Sequence, residues 1–128
     1  IYENDFSSHP KQVVWPKELN YLPDSSIVVV TIPNCPYCEA SIAMSNRMLE
    51  RNPDLEITYI VLAYRLEDMV KYKKKANARI AFRMANDHQL YLIYTKGSFP
   101  FHLKRQNKQG LIWSNNEMGP VALDELEN

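Results

Sequence analysis

Residues 26–32 read Ser-Ile-Val-Val-Val-Thr-Ile, a β-branched run bounded by Asp24 and Pro33. The run shows no alternation of polar and apolar positions. It is therefore expected as a strand buried on both faces, in a sheet covered by helices. Residues 36–51 follow as an amphipathic helix. Cys38, Ile42, Ser45 and Leu49 share one stripe with Met48 beside it, while Glu39, Asn46, Arg47 and Glu50 point elsewhere. Asn52-Pro53 ends this helix, because the residue before a proline avoids helical geometry. A second apolar run at residues 56–63 gives the next buried strand. Strand, helix and strand at this spacing make a parallel crossover unit, which places the chain in the α/β class.

The remaining elements are shorter. Residues 1–24 are polar and interrupted by Pro10, Pro16 and Pro23, with one short apolar patch at Val13-Val14-Trp15, so they read as an irregular N-terminal arm with one short strand packing on the body. Residues 25–128 read as one domain. Residues 66–75 form a second helix carrying Lys71, Lys73, Lys74 and Lys75, and residues 80–84 a short extended piece. Asp87 is suited to cap a helix running through Lys96, with Gly97 just past its end. Residues 101–104 and 111–114 pair as a hairpin around a polar turn at 106–110, and 120–126 form a short final helix. The chain contains no internal repeat.

Composition narrows the function. With 128 residues, 45% of them apolar, the chain can bury a core without disulfide staples. Its 15 basic and 15 acidic residues cancel, which argues against nucleic acid or an anionic membrane as a partner attracted by overall charge. No apolar run approaches the roughly 18 residues of a transmembrane helix. Three glycines are too few for a Gly-rich phosphate loop. The sequence opens at Ile1 with no basic-then-apolar leader, which reads as a mature exported protein or a domain cut from a longer chain.

Both cysteines lie in Asn34-Cys35-Pro36-Tyr37-Cys38, where the first buried strand gives way to the long helix. A helix N-terminus presents unpaired N–H groups and the positive end of the macrodipole, and both favour an anion. The Cys35 thiolate should be stabilised there, and a thiolate is the nucleophile of disulfide exchange. Pro36 suits the first turn, where its missing N–H costs nothing. Cys38, one turn deeper on the core-facing stripe, should be shielded and resolve the mixed disulfide that Cys35 forms. A structural zinc site is disfavoured: there is no second cysteine pair, and His9, His88 and His102 lack zinc-ligand spacing. No metal and no cofactor is expected beyond a redox-active Cys35–Cys38 disulfide.

With these residues in view, the chain resembles the thioredoxin superfamily. The resemblance is carried by the strand at 27–32, the Cys35-Pro36-Tyr37-Cys38 motif opening a helix, the strand at 57–62, and Ser98-Phe99-Pro100-Phe101 leading into a hairpin. It implies a thioredoxin-like fold with a central mixed sheet flanked by helices, and a cis-proline at Pro100 facing the dithiol. Phe99, Pro100, Pro36 and Tyr37 would then contact substrate. The motif alone is similar to that of glutaredoxins, but no Gly-Gly pair follows Pro100. The long interval before Pro100, with an extra helix and strand at 66–84, is similar to the TlpA/ResA-like branch. So is the ending, where Phe101-His102-Leu103-Lys104 leads through a polar turn into Leu111-Ile112-Trp113. That branch implies an extracytoplasmic reductase of protein disulfides, fed by an upstream redox partner.

Departures from the family pattern define the remaining expectations. Asn34 replaces the tryptophan that thioredoxins carry before the first cysteine, and the strand at 27–32 lacks their buried acid. Glu39 is the nearest carboxylate, though helix geometry turns it towards solvent. No Lys or Arg lies within nine residues of Cys35, so the thiolate relies on the helix terminus and its pKa should be only moderately depressed. His102, two residues beyond Pro100, could tune the dithiol if their shared strand face looks at it. The lysines at 71–75 could dock an acidic partner or nucleic acid but read first as a solvated helix end, and the aromatic stretch at 90–94 reads as core before a recognition patch. A monomeric thiol–disulfide oxidoreductase, extracytoplasmic or alternatively cytoplasmic, is the leading reading. A non-catalytic thioredoxin-like binding module of a larger envelope protein is the alternative, and copper handling by the two thiols is a weaker third.

Overall fold

A computed structural model describes residues 11–95, 99–106 and 109–113. Six strands form one sheet: β1 (Lys11–Val13), β2 (Ile27–Thr31), β3 (Ile57–Val61), β4 (Ala81–Met84), β5 (Phe101–Gln106) and β6 (Gln109–Trp113). Their spatial order is β1-β6-β5-β2-β3-β4. β2 and β3 pair in parallel, as do β3 and β4, while β5 runs antiparallel to β2. The sheet is thus mixed, with the all-buried β2 and β3 at its middle.

Among the described residues three α-helices cover it: α1 (Pro36–Arg51), α2 (Leu66–Lys75) and α3 (His88–Thr95). Alternation along the strands sorts the core into two layers. On one face Ile27, Val29, Tyr59 and Val61 pack with Ile42 and Met48 of α1 and with Tyr72 of α2. On the other, Val28, Val30, Ile60 and Leu103 pack with Tyr91 of α3 and with Trp15, Leu19 and Leu22 of the N-terminal segment. The expected central mixed sheet flanked by helices, with a helix and strand added before Pro100, is what the structure shows.

Polar contacts lock α1 in place. Tyr59, wholly buried on β3, shares a 2.8 Å hydrogen bond with the Ser45 hydroxyl of α1. Asn46 of α1 ties off the end of α2: its amide donates to the Lys75 carbonyl at 3.0 Å, and its carbonyl oxygen accepts the Asn77 N–H at 2.7 Å. A helix C-terminus leaves carbonyls without intrahelical partners, and Asn46 supplies one.

Some boundaries differ from the sequence reading. The short strand expected in the N-terminal arm spans Lys11–Val13, and the apolar patch that begins at Val13 does not continue it. Val14 is exposed, and Trp15 turns into the core to donate its indole N–H to the Leu19 carbonyl at 2.8 Å. Pairing decides this: Lys11, Gln12 and Val13 are the residues in register with β6, and Pro16 follows within three residues. The hairpin is also tighter than expected. The β5–β6 ladder extends to Gln106 opposite Gln109, so Gln106, Gln109 and Gly110 belong to strands and not to the turn. Asp87 does cap α3, accepting the Gln89 N–H at 3.0 Å. Lys96, Gly97, the linking residues 107–108, Ser114 and the final helix expected at 120–126 lie outside the described residues.

Candidate active site

The dithiol sits where β2 hands over to α1. β2 ends at Thr31, and Asn34 adopts a left-handed conformation (φ 59°), which asparagine tolerates better than most residues. Cys35 is the N-cap of α1 and Pro36 its first residue. The Cys38 N–H donates to the Cys35 sulfur at 3.2 Å, and the Glu39 N–H to the Cys35 carbonyl at 3.1 Å. The sulfur of Cys35 therefore accepts one of the helix's unpaired donors, at the positive end of its dipole. The two cysteines stand at disulfide distance, with Cα atoms 5.2 Å apart. Cys35 is 7% exposed and Cys38 wholly buried, so solvent reaches the pair only through Cys35. Pro36 and Tyr37 are exposed on the outer side of the turn, Tyr37 at 56%.

The Phe99–Pro100 peptide bond is cis. Val30 pairs with Phe101, so one further step of the same antiparallel register brings Pro100 alongside Thr31, at the end of β2 that leads into the dithiol turn. Phe99 is half-buried and packs against the core layer that contains both cysteines.

His102 stands directly opposite Val29, on the sheet face that α1 covers. It is neither solvated nor hydrogen-bonded: its residue is fully buried and neither ring nitrogen has a partner among the described residues. Burial drives its pKa down to about 3, so the ring is neutral at physiological pH. Glu39 is exposed as expected and forms an ion pair with Lys75 at 2.8 Å.

Two features of the site were not expected from the sequence. The Tyr72 hydroxyl of α2 accepts the Cys35 N–H at 3.3 Å and donates to the Ile32 carbonyl. Burial pushes the phenol's pKa up, the Cys35 amide acting against that shift. Met69, Tyr72 and Ala76 all pack on the first core layer, and their helical spacing was the available signal, since a buried tyrosine hydroxyl needs a partner. In addition, Lys71, Lys74 and Lys75 border a cavity of about 290 Å³ with Pro33, Asn34 and Tyr72. The lysines are exposed, as a solvated helix end should be, yet the fold sets them beside the segment that precedes Cys35.

Neither a protein-family model nor a curated protein matches the chain. Solved structures do, at low identity. A secreted Mycobacterium tuberculosis disulfide oxidoreductase, described as homologous to Escherichia coli DsbE, is 14% identical. It superimposes with a TM-score of 0.61 over 79% of this chain and 81% of that one. M. tuberculosis DsbF is 10% identical, with a TM-score of 0.63 over 84% of each chain. A thioredoxin-related protein from Neisseria meningitidis serogroup B is 16% identical, with a TM-score of 0.60 over 91% of this chain and 96% of that one. The fold is thus that of thioredoxin-like proteins, and one of the chains similar to it is described as a disulfide oxidoreductase.

Proposed function

We propose that this chain is a thiol–disulfide oxidoreductase acting on protein disulfides through Cys35 and Cys38. The observation that carries the reading is the asymmetry of the pair: one sulfur at a helix N-terminus within reach of solvent, the other sealed one turn below. In the reducing direction the Cys35 thiolate attacks a substrate disulfide. A bond forms between Cys35 and one substrate sulfur, and the other substrate sulfur leaves as a thiolate that takes a proton from solvent. Cys38 then loses its proton and attacks the Cys35 sulfur. This closes the Cys35–Cys38 disulfide and expels the second substrate thiolate. An upstream dithiol partner returns the pair to the reduced state.

In this reading Pro36, Tyr37, Phe99 and Pro100 border the entering polypeptide, with Tyr37 and Phe99 supplying apolar contact. His102 and Glu39 tune the pair indirectly. The neutral, buried His102 ring adds a polar group without charge to the layer beneath the cysteines, and Glu39 is tied to Lys75. We assign the reducing direction, a monomeric state and an extracytoplasmic, periplasmic setting. The secreted M. tuberculosis oxidoreductase, described as homologous to DsbE, supports that setting. Separately, no helix among the described residues is long and apolar enough to cross a membrane.

The test is insulin-disulfide reduction driven by dithiothreitol, run beside a Cys35→Ser variant, with the dithiol titrated against glutathione. Catalysis above background that disappears in the variant is expected. Equal rates in both proteins would replace the enzyme with a binding module.

A further inference from the structure

The cavity beside the dithiol carries charge that its own residues do not neutralise. Glu39 is held by Lys75 at 2.8 Å, and Asp68 by Arg65 at 3.2 Å, an arginine that Glu67 also engages at 3.6 Å. Lys71 and Lys74 form no ion pair among the described residues, although Lys71 also acts on Asp68 electrostatically, so the three lysines of the wall outnumber its two carboxylates by one charge. The chain's net charge is zero, so this surplus is local and not a sample of a generally basic surface. It is also held in position. The last turn of α2 is fastened to α1 by Asn46 and by the Lys75–Glu39 pair, so the lysines project from a fixed helix end.

The cavity adjoins the segment that leads into Cys35. Its wall includes Pro33 and Asn34, the two residues before Cys35, and Tyr72, whose hydroxyl lies 3.3 Å from the Cys35 amide nitrogen. A volume of about 290 Å³ falls at the small end of ligand pockets, which run from about 300 to 1,000 Å³. That is room for one or two side chains. An extended peptide advances about 3.3 Å per residue, so residues close to a cysteine joined to Cys35 pass within reach of this wall.

We infer that the cavity is a recognition subsite for an acidic side chain, Asp or Glu, lying within a few residues of the client's reacting cysteine. The inference rests on the oxidoreductase reading above and adds a substrate preference to it. Pro33 and Tyr72 contact the stem of the acidic side chain, while Lys71 and Lys74 meet its carboxylate. Such contacts at an exposed site are each modest and screened by salt.

The test separates recognition from chemistry. A short fluorescent peptide with glutamates flanking a central serine is compared, by anisotropy, with the same peptide carrying glutamines. The acidic peptide should bind about threefold to tenfold more tightly at low ionic strength, and the difference should shrink as salt is added. The double variant K71E/K74E should abolish the preference. K73E makes the same kind of charge change outside the cavity and should retain it. Equal affinity of the wild-type protein for both peptides, or a preference lost equally in K73E, would overturn the inference. Cysteine-containing versions of the two peptides then report the ratio of kcat/KM. Binding discrimination without reduction of either peptide would remove the enzymatic reading alone. Reduction of both at equal kcat/KM would remove the subsite alone.

Discussion

The hydroxyl of Tyr72 lies 3.3 Å from the amide nitrogen of Cys35, across 37 residues of sequence, and bonds the carbonyl of Ile32 at the same time. One side chain from α2 thereby holds both ends of the turn that presents the reactive sulfur. Tyr72→Phe keeps the ring and removes both bonds, leaving a buried N–H and a carbonyl unpaired. A loss of about 1–3 kcal/mol is expected from the urea midpoint at constant slope. Hydrogen exchange at the Cys35 amide should accelerate more than exchange at α1 residues remote from the turn.

Burial of Cys38 predicts which intermediate can be trapped. Cys38→Ser removes the resolving sulfur and leaves Cys35 free to attack, so a mixed disulfide with the client should persist. It should appear by mass spectrometry and dissolve with dithiothreitol. Cys35→Ser should yield no such adduct, because the remaining thiol has no exposure.

His102 predicts a pH dependence of stability. Its folded pKa of about 3 lies below the 6.5 of a free imidazole, so between those values the unfolded chain binds a proton that the folded chain refuses. Its contribution is fully present above pH 6.5 and is lost as pH falls towards 3. The slope approaches about 1.4 kcal/mol per pH unit within that window. Carboxylates titrate in the lower part of the same range, so the informative quantity is the difference between wild type and His102→Leu. The variant's urea midpoint should be less sensitive to pH between about 6 and 4. Identical slopes in the two proteins would contradict the prediction.

Asn46 predicts a coupling between helices. Asn46→Ala removes a donor to Lys75 and an acceptor from Asn77, and should cost about 1–2 kcal/mol in chemical denaturation. Asn46→Asp keeps an acceptor for the Asn77 N–H and places a negative charge against the Lys75 carbonyl. It should therefore fall between wild type and alanine.

The elements that place the dithiol were legible because their signals are local. Unbroken β-branched runs at β2 and β3 mark strands buried on both faces, and the stripe from Cys38 to Leu49, closed by Asn52-Pro53, marks α1. Pro100 was legible only through the family resemblance. What stayed hidden depends on pairing between distant segments. Tyr72 reads as one more aromatic on a helix until the fold lays α2 against the Ile32–Cys35 turn. The lysines of α2 read as a helix end because sequence distance conceals how near Asn34 they lie. The state of His102 could not be read either, since its burial needs α1 above it and the Val29 register beside it. The edge strand β1 is fixed by its partner β6, almost a hundred residues away, and not by its own apolarity.

With Cys38 enclosed and Cys35 barely open, the proposed chemistry has a single port. Donor and recipient must use the same sulfur atom, and two proteins cannot occupy it together. Electrons therefore pass in alternation, one partner departing before the next arrives, and steady-state kinetics should show the parallel double-reciprocal lines of a ping-pong scheme. Each half-reaction then limits the rate when its own partner is scarce, so flux through such a protein is governed by the balance between donor and recipient and not by the abundance of one.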